Sequence, residues 1–379
     1  MFRVIVALFG TMFFSAVITP FVRKLAFVLG AVDMPNARRV NRKPMPTMGG
    51  LGIFIAFVFV TFVLLRNQFP THELFSVLLA GSVIILTGMI DDIKELKPWQ
   101  KMLGIVIAAS IIYFLAGIRM DDVSLFGLHF NLGWASYFVT VFWIAALTNA
   151  VNLIDGLDGL ATGVAIIALF TMGVIGVFFL LPGEIYVPIW IFCLVAALIG
   201  FLPHNFHPAS IFLGDTGALF IGFMVAVFSL KGLKNVTFVT MVIPVIILGV
   251  PITDTVYAIL RRKLNNKPIS QADKHHLHHQ LMALGLTQRQ TVMVIYGLAL
   301  IFAAIALIYP LSTLWGSILL TIAVILGLEL FVESIGLVGA GRQPLLHAIQ
   351  RFVKRLSHSD HPVYPKHRPA TVHFFSLHA

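Results

Sequence analysis

Residues 159–181 read GLATGVAIIALFTMGVIGVFFLL, a stretch of 23 residues without a charged side chain. A helix of about 20 apolar residues is long enough to cross the hydrocarbon core of a bilayer, which is about 30 Å thick. Comparable stretches recur along the whole chain, and only 11% of its 379 residues are charged, whereas a soluble domain carries about 25%. The sequence therefore predicts one membrane domain made of α-helices.

The hydropathy pattern predicts an all-α, polytopic integral membrane protein with about eleven transmembrane helices. The first apolar stretch could be a signal peptide, but no small-residue cleavage site follows it, so we interpret it as the first span. A transmembrane domain over residues 1–335 is expected, then a cytoplasmic tail over 336–379 with an amphipathic interfacial helix and a loose C-terminus. The predicted spans are 2–22, 47–65, 73–90, 102–118, 132–149, 159–181, 186–202, 216–230, 237–257, 291–309 and 314–335.

The basic residues indicate the orientation of these helices. If the N-terminus is outside, the segments on the inner side contain most of the 26 Lys and Arg residues. Because positively charged loops are retained in the cytoplasm, we expect the N-terminus outside and the C-terminus cytoplasmic. The basic residues of the cytoplasmic loops thus account for the net charge of +10. Because the sequence contains no nucleic-acid-binding motif, we expect no nucleic-acid partner. Basic cytoplasmic loops suit anionic lipid and phosphate-bearing substrates.

The few acidic residues are concentrated where the predicted helices meet the cytoplasm. A carboxylate at the bilayer centre costs about 2.5–3.5 kcal/mol on insertion scales, so helix ends are the favoured location. That cost does not explain why these carboxylates flank short glycine-rich loops, and we therefore predict an active site on the cytoplasmic face. The candidates are Asp91, Asp92, Asp155, Asp158, Asp215, Asp254 and Asp273.

The segment NAVNLIDGLDGL, residues 149–160, spaces two amides and two carboxylates by three residues. They are Asn149, Asn152, Asp155 and Asp158. A continued helical turn would place all four on one face, where they could bind a hydrated cation and the hydroxyls of a sugar or base. Capping of the next helix is the alternative, but it accounts for one aspartate only.

The Asp91–Asp92 pair and Asp215 each have two interpretations. Asp91 and Asp92 could divide metal contact and proton acceptance between them, or form a solvated helix end balanced by Lys94 and Lys97. Asp215 opens the eighth predicted span, where it could hold Mg²⁺ or act as a plain N-cap.

Basic and imidazole groups occupy two of the cytoplasmic loops. The histidines of ADKHHLHHQL, residues 272–281, have helical neighbour spacing, which would suit zinc. The basic residues in the same loop favour phosphate contact or acid–base work instead, and a solvated loop is the alternative. Lys43 belongs to a basic cluster before PTMGG, which either anchors the topology or cradles a pyrophosphate.

Five motifs in one order resemble the polyprenyl-phosphate N-acetylhexosamine-1-phosphate transferases, over roughly residues 15–335. The resemblance is strongest to the bacterial branch that starts teichoic acid, O-antigen or related glycan synthesis. The motifs are PTMGG (46–50), LTGMIDD (86–92), NAVNLIDGLDGL (149–160), NFHPASIFLGDTGALFIG (205–222) and ADKHHLHH (272–279).

This resemblance implies a reaction of UDP-GlcNAc with undecaprenyl phosphate that gives undecaprenyl-diphosphate-GlcNAc and UMP. It implies Mg²⁺ as the cofactor, with Mn²⁺ as an alternative, and a multi-pass location in the bacterial cytoplasmic (inner) membrane among its lipids. It also allows a homodimer. Carried onto this chain, the expected catalytic residues are Asp91, Asp92 and Asp158, and the expected metal ligands are Asp215 and Asp92. The expected substrate-binding residues are Lys43, Asn152, Asp155, Asn205, His276, His278 and His279.

Three other activities are weighed against this one. The sister branch that transfers phospho-MurNAc-pentapeptide typically has three consecutive histidines, and Leu277 interrupts them here. An ion-coupled transporter predicts charges near mid-span and broken helices there. An intramembrane aspartyl protease needs two aspartates that share a proton, and it leaves the histidine loop without a role. The transferase of the GlcNAc type is the preferred hypothesis.

Overall fold

The computed structural model describes residues 2–34, 44–125, 128–179, 184–232, 242–266, 276–336 and 347. These residues form thirteen helices and two small antiparallel sheets, β1 with β2 and β3 with β4. The helices are α1 Phe2–Leu29, α2 Gly49–Leu64, α3 Thr71–Lys94, α4 Pro98–Phe114, α5 Ser136–Ile154, α6 Leu160–Phe179, α7 Tyr186–Asn205, α8 Gly214–Gly232, α9 Val242–Ile247, α10 Gly249–Leu264, α11 Leu277–Ala283, α12 Gln288–Ile308 and α13 Leu314–Ser334. The strands are β1 Val32–Asp33, β2 Met45–Pro46, β3 Asp122–Leu125 and β4 Leu128–Asn131.

Eight helices in the described part of the chain are long and apolar enough to cross a membrane. They are α1, α3, α5, α6, α7, α8, α12 and α13, and the shorter α2 and α4 are also apolar. Large apolar side chains such as Phe13, Phe142 and Leu319 are exposed on their outer faces, as expected where lipid replaces water. The prediction of a helical multi-pass membrane protein is confirmed.

The structure departs from the sequence prediction in two places. The two small sheets were not expected in an all-α fold. The predicted ninth span, 237–257, is not one continuous helix in its described part, because α9 ends at Ile247 and α10 begins at Gly249. Pro251 has no N–H with which to continue the hydrogen-bond ladder back to Ile247. The other ten predicted spans each coincide with one helix, and the predicted tail helix lies outside the described residues except for His347.

Helix α8 lies at the centre of the bundle, where it packs against α2, α3, α5, α6 and α7. Two glycines allow the closest contacts near its start. A Cβ added to Gly50 would lie 2.1 Å from the Cα of Gly217, and one added to Gly88 would lie 2.4 Å from the Cα of Thr216. Backbone therefore meets backbone at this end of α8, and the residues around it are held in place by α2 and α3.

A polar cluster joins three helices at the other end of the bundle. The buried carboxylate of Glu73, at the start of α3, accepts hydrogen bonds from the hydroxyl of Tyr186 at 3.0 Å and from the ammonium of Lys231 at 2.9 Å. Tyr186 begins α7 and Lys231 lies in the last turn of α8. This cluster ties α3, α7 and α8 together far from Asp91 and Asp215.

Candidate active site

A cavity of about 850 Å³ opens where the C-terminal ends of α3, α5 and α7 meet the N-terminal ends of α8 and α11. Ten of the predicted site residues line this cavity, although they come from five separate segments of the chain. They are Asp91, Asp92, Asn152, Asp155, Asp158, Asn205, Asp215, His276, His278 and His279. Lys43 and Asp273 lie outside the described residues, and the candidate carboxylate Asp254 is described but does not line the cavity.

Asp92 caps the N-terminus of α8 from a neighbouring helix. Its carboxylate accepts the backbone N–H groups of Asp215 at 2.9 Å and Thr216 at 3.1 Å, together with the Thr216 hydroxyl at 2.5 Å. The first N–H groups of a helix have no partner within it, and a negative charge there is favoured by the helix dipole. Gly214 has φ +73°, and a Cβ on it would lie 2.6 Å from Asp92. Asp92 supplies this cap, which leaves the side chain of Asp215 to face the cavity.

Lys101, at the start of α4, joins two of the predicted carboxylates. Its ammonium pairs with the nearly buried carboxylate of Asp91 and with Asp215, the latter at 3.1 Å. The Asn152 amide donates to the same oxygen of Asp215 at 2.5 Å. From the sequence, Lys101 counted only among the cytoplasmic basic residues. One sequence signal could have identified Lys101: it lies near the start of the helix that follows Asp91 and Asp92, where the chain turns back toward the cytoplasmic face.

The predicted ladder of polar residues on one helical face is wrong. Helix α5 ends at Ile154, and Asp155 has φ −76° and ψ 61°, outside the helical region. The amide of Asn149 donates to the carbonyl of Ala145 within its own helix instead of facing the site. A Cβ on Gly156 would lie 2.4 Å from the ring of His278. The chain therefore turns after Ile154 instead of continuing the helix, and this turn places the backbone of Gly156 against the His278 imidazole.

Two predicted residues hold the loop between α7 and α8. Asp158 accepts a hydrogen bond from Nδ1 of His207 at 2.8 Å. Asn205 accepts one from the Thr162 hydroxyl at 2.8 Å and donates one to the carbonyl of Ile211 at 3.2 Å. These bonds fix the segment that leads into Asp215. The catalytic role of Asp158 and the substrate-binding role of Asn205 remain predictions.

Three histidines form one wall of the cavity. His276 begins the segment, with its Nδ1 2.8 Å from a carboxylate oxygen of Asp254. The rings of His276 and His278 are stacked with centroids 6.0 Å apart, and those of His278 and His279 are 4.1 Å apart. Burial, aided by the neighbouring His279, lowers the pKa of His278 to about 3. His278 is therefore neutral at neutral pH, and a charged contact with phosphate has to come from another group.

A model of glycosyl transferase family 4 matches residues 74–233, which include the DD pair, the DGLDG turn and Asp215. A relative from Bacillus subtilis (strain 168), named probable undecaprenyl-phosphate N-acetylglucosaminyl 1-phosphate transferase, is 42% identical to the chain over 94% of its length and 98% of the relative. The chain belongs to glycosyl transferase family 4.

Two more distant members of the family match most of the chain. The decaprenyl-phosphate N-acetylglucosaminephosphotransferase of Mycobacterium tuberculosis (strain H37Rv) is 34% identical over 74% of this chain and 77% of its own. The undecaprenyl-phosphate alpha-N-acetylglucosaminyl 1-phosphate transferase of Escherichia coli (strain K12) is 29% identical over 79% of this chain and 82% of its own.

The charges of this family member's cavity suit a divalent cation. Lys101 is the only Lys or Arg among the described lining residues, whereas the lining contains several Asp side chains. Acidic groups therefore outnumber basic ones in the cavity. Asp155 is half-buried, and desolvation of its carboxylate, with the charges of Asp215 and Asp92, raises its pKa well above the usual range. No described residue donates a hydrogen bond to the Asp155 side chain. The described residues hold no group of three His, Cys, Asp or Glu side chains close enough to bind a metal alone, but Mg²⁺ needs only one or two carboxylates with water and substrate phosphates.

Proposed function

We propose that the protein transfers GlcNAc-1-phosphate from UDP-GlcNAc to undecaprenyl phosphate, giving undecaprenyl-diphosphate-GlcNAc and UMP. The observation that carries this proposal is the convergence of ten predicted residues on one cavity, with Lys101 between Asp91 and Asp215. The names of the relatives support the same donor group and a polyprenyl-phosphate acceptor. The product would start a glycan of the cell envelope, such as teichoic acid or O-antigen.

Phosphoryl transfer requires mainly positioning and neutralised charge, and the residues of the cavity divide these tasks. We assign to Asp91 the role of base or nucleophile toward the lipid phosphate, with Lys101 orienting it. Lys101 also supplies positive charge for phosphate oxygens near Asp215. Lys43, His276, His278 and His279 are the predicted contacts at the end of the cavity that takes the diphosphate of the nucleotide sugar, and His278 would contribute as a neutral ring.

Asp215 is the proposed principal ligand of Mg²⁺, which when bound would neutralise charge on the diphosphate. Mn²⁺ could take the same oxygen ligands. Asn152 contacts Asp215 directly and could add its amide oxygen after a flip of the amide group. Asp92, the second predicted ligand, holds Asp215 through its hydrogen bonds to α8, and its remaining lone pairs could also reach the ion.

The finer topology belongs to the same proposal. We infer about eleven crossings, with the ninth interrupted between α9 and α10, the N-terminus outside and the cavity open to the cytoplasm. The distribution of basic residues supports this orientation because positive loops stay inside. A cytoplasmic opening would admit UDP-GlcNAc, while the acceptor would reach the cavity from the bacterial inner membrane.

Purified protein in detergent, given UDP-GlcNAc, Mg²⁺ and undecaprenyl phosphate, should release UMP. D91N and D215N should abolish release while their folded yield stays near that of the wild type. D122N, on the exposed β3 strand at the other end of the helices, is the matched control and should remain active. Absence of UMP from well-folded wild-type protein would refute the transferase. Release with UDP-MurNAc-pentapeptide but not UDP-GlcNAc would assign the sister reaction.

A further inference from the structure

A buried carboxylate behind the histidine wall is not used by the reaction described above. Asp254 lies in the second turn of α10 and is 2% exposed. One of its oxygens is 2.8 Å from Nδ1 of His276, and the other accepts the backbone N–H of Leu277 at 2.7 Å. Both contacts reach the first residues of α11, so one side chain of α10 fixes where the histidine segment begins.

The contact with Asp254 decides which ring nitrogen of His276 faces the cavity. An ionised carboxylate can only accept hydrogen bonds, so Nδ1 of His276 must carry a proton. Since His276 lines the cavity, Nε2 is the nitrogen left to meet a ligand there. A ring held at Nδ1 keeps one orientation and one proton position, as the carboxylate of a Ser-His-Asp triad does for its histidine.

We propose that Asp254 is a positioning residue that acts through His276, holding the proton on Nδ1 so that the lone pair of Nε2 faces the cavity and accepts a hydrogen bond from a hydroxyl group of the nucleotide sugar. This inference rests on the proposed function for the identity of the ligand. Asp254 touches no substrate, since its two oxygens are occupied by α11. Asp254 instead determines the orientation and the proton position of the His276 imidazole, which contacts the substrate.

The variant D254N separates this role from a purely structural one. An asparagine at this position keeps one carbonyl oxygen for the N–H of Leu277, so the start of α11 remains held. Its NH₂ group then faces Nδ1 of His276 and can only donate. To accept this hydrogen bond, Nδ1 of a neutral His276 must be unprotonated, so the ring proton moves to Nε2.

The proton position can be measured without turnover. Ring ¹⁵N shifts of histidine-labelled protein in detergent distinguish the two tautomers, and the signal of His276 is the one missing in H276Q. We expect a protonated Nδ1 in the wild type and a protonated Nε2 in D254N, with D122N like the wild type. A His276 protonated only at Nε2 in the wild type, or unchanged in D254N, would overturn the proposal whether or not the protein releases UMP.

Turnover gives a second and independent test. We expect D254N, in which Nε2 carries the proton and can no longer accept, to lower kcat/KM for UDP-GlcNAc by about 10- to 100-fold, the range for a polar group left without its partner, while KM for undecaprenyl phosphate stays near the wild-type value. In an H276Q background the same change should have little further effect, because interacting residues are not additive. An equal loss in both backgrounds would show that Asp254 does not act through His276. Wild-type protein that releases no UMP would count against the proposed function alone.

Discussion

At the scale of single residues, the site is a set of carboxylates around one ammonium group. The motifs supplied the identities of Asp91 and Asp215, because their position at helix ends is visible in the pattern. They did not supply Lys101, since its contacts with both depend on how α4 returns against α3 and α8. Nor did they show that Asp92 caps α8, because that contact joins residues more than a hundred positions apart.

Lys101→Met should remove most of the activity. Without the ammonium, Asp91 and Asp215 repel each other and the positive charge for phosphate is lost, so UMP release should fall by about 100-fold or more, as for loss of one transition-state donor. The melting temperature should also fall. Lys94→Met, a change of the same kind at an exposed lysine on α3, is the control. Activity of K101M within a few-fold of the wild type would contradict the role of Lys101.

Asp155→Asn should raise stability and lower activity. The raised pKa of Asp155 means that the folded state holds a proton that the unfolded state has released, so the free energy of unfolding decreases as pH rises above the usual aspartate pKa. The neutral asparagine lacks this penalty. Thermal unfolding in detergent with a chelator should therefore show a higher melting temperature for D155N at pH 8, with a gain that shrinks toward pH 4. A melting temperature at or below that of the wild type at pH 8 would disprove the burial penalty.

At the scale of elements, hydropathy located ten of the helices, because a membrane-spanning helix must be long and apolar whichever helices it packs against. It misjudged the ninth span, where Gly249 and Pro251 divide α9 from α10. The three-residue spacing of the polar residues wrongly predicted a ladder beyond Ile154, because such spacing places residues on one face only where the helix continues. The departure after Ile154 lies at the cavity, where contacts with neighbouring segments determine the backbone conformation.

Gly50→Ala should displace the start of α8. The added methyl group has no room at 2.1 Å from the Cα of Gly217, and the two backbones must separate, which would move Asp215 away from Lys101. We expect loss of most UMP release and a lower melting temperature. Gly297→Ala is the matched control, because no atom lies within 4 Å of the new Cβ on α12. Full activity of G50A would show that this close contact is not needed.

At the scale of the whole molecule, the bundle places all described site residues at one end of its helices. Composition was enough to predict a membrane protein, and the basic loops predict which end faces the cytoplasm. The way α8 is enclosed by five other helices could not be predicted, because each apolar span is compatible with lipid as well as with protein.

Cysteine labelling should establish the orientation. The single native cysteine, Cys193, is buried, so C193A provides a background for one new thiol at a time. A membrane-impermeant maleimide added to intact cells should label W134C, at the exposed Trp134 before α5. K97C, between α3 and α4, should react only after permeabilisation. The reverse pattern would place the cavity on the outer face.

The cluster of Glu73, Tyr186 and Lys231 links the enzyme to the thickness of its membrane. Glu73 and Asp91 are eighteen residues apart on α3 with no charged residue between them, a separation of about 27 Å along a helix, close to the depth of a hydrocarbon core. In a bilayer of different depth α3 must tilt to avoid hydrophobic mismatch. Because Glu73 is bonded to α7 and α8, all three helices would tilt together, carrying Asp91 and Asp215 with them. We therefore expect the alignment of Asp91 and Asp215 to depend on the thickness of the bilayer.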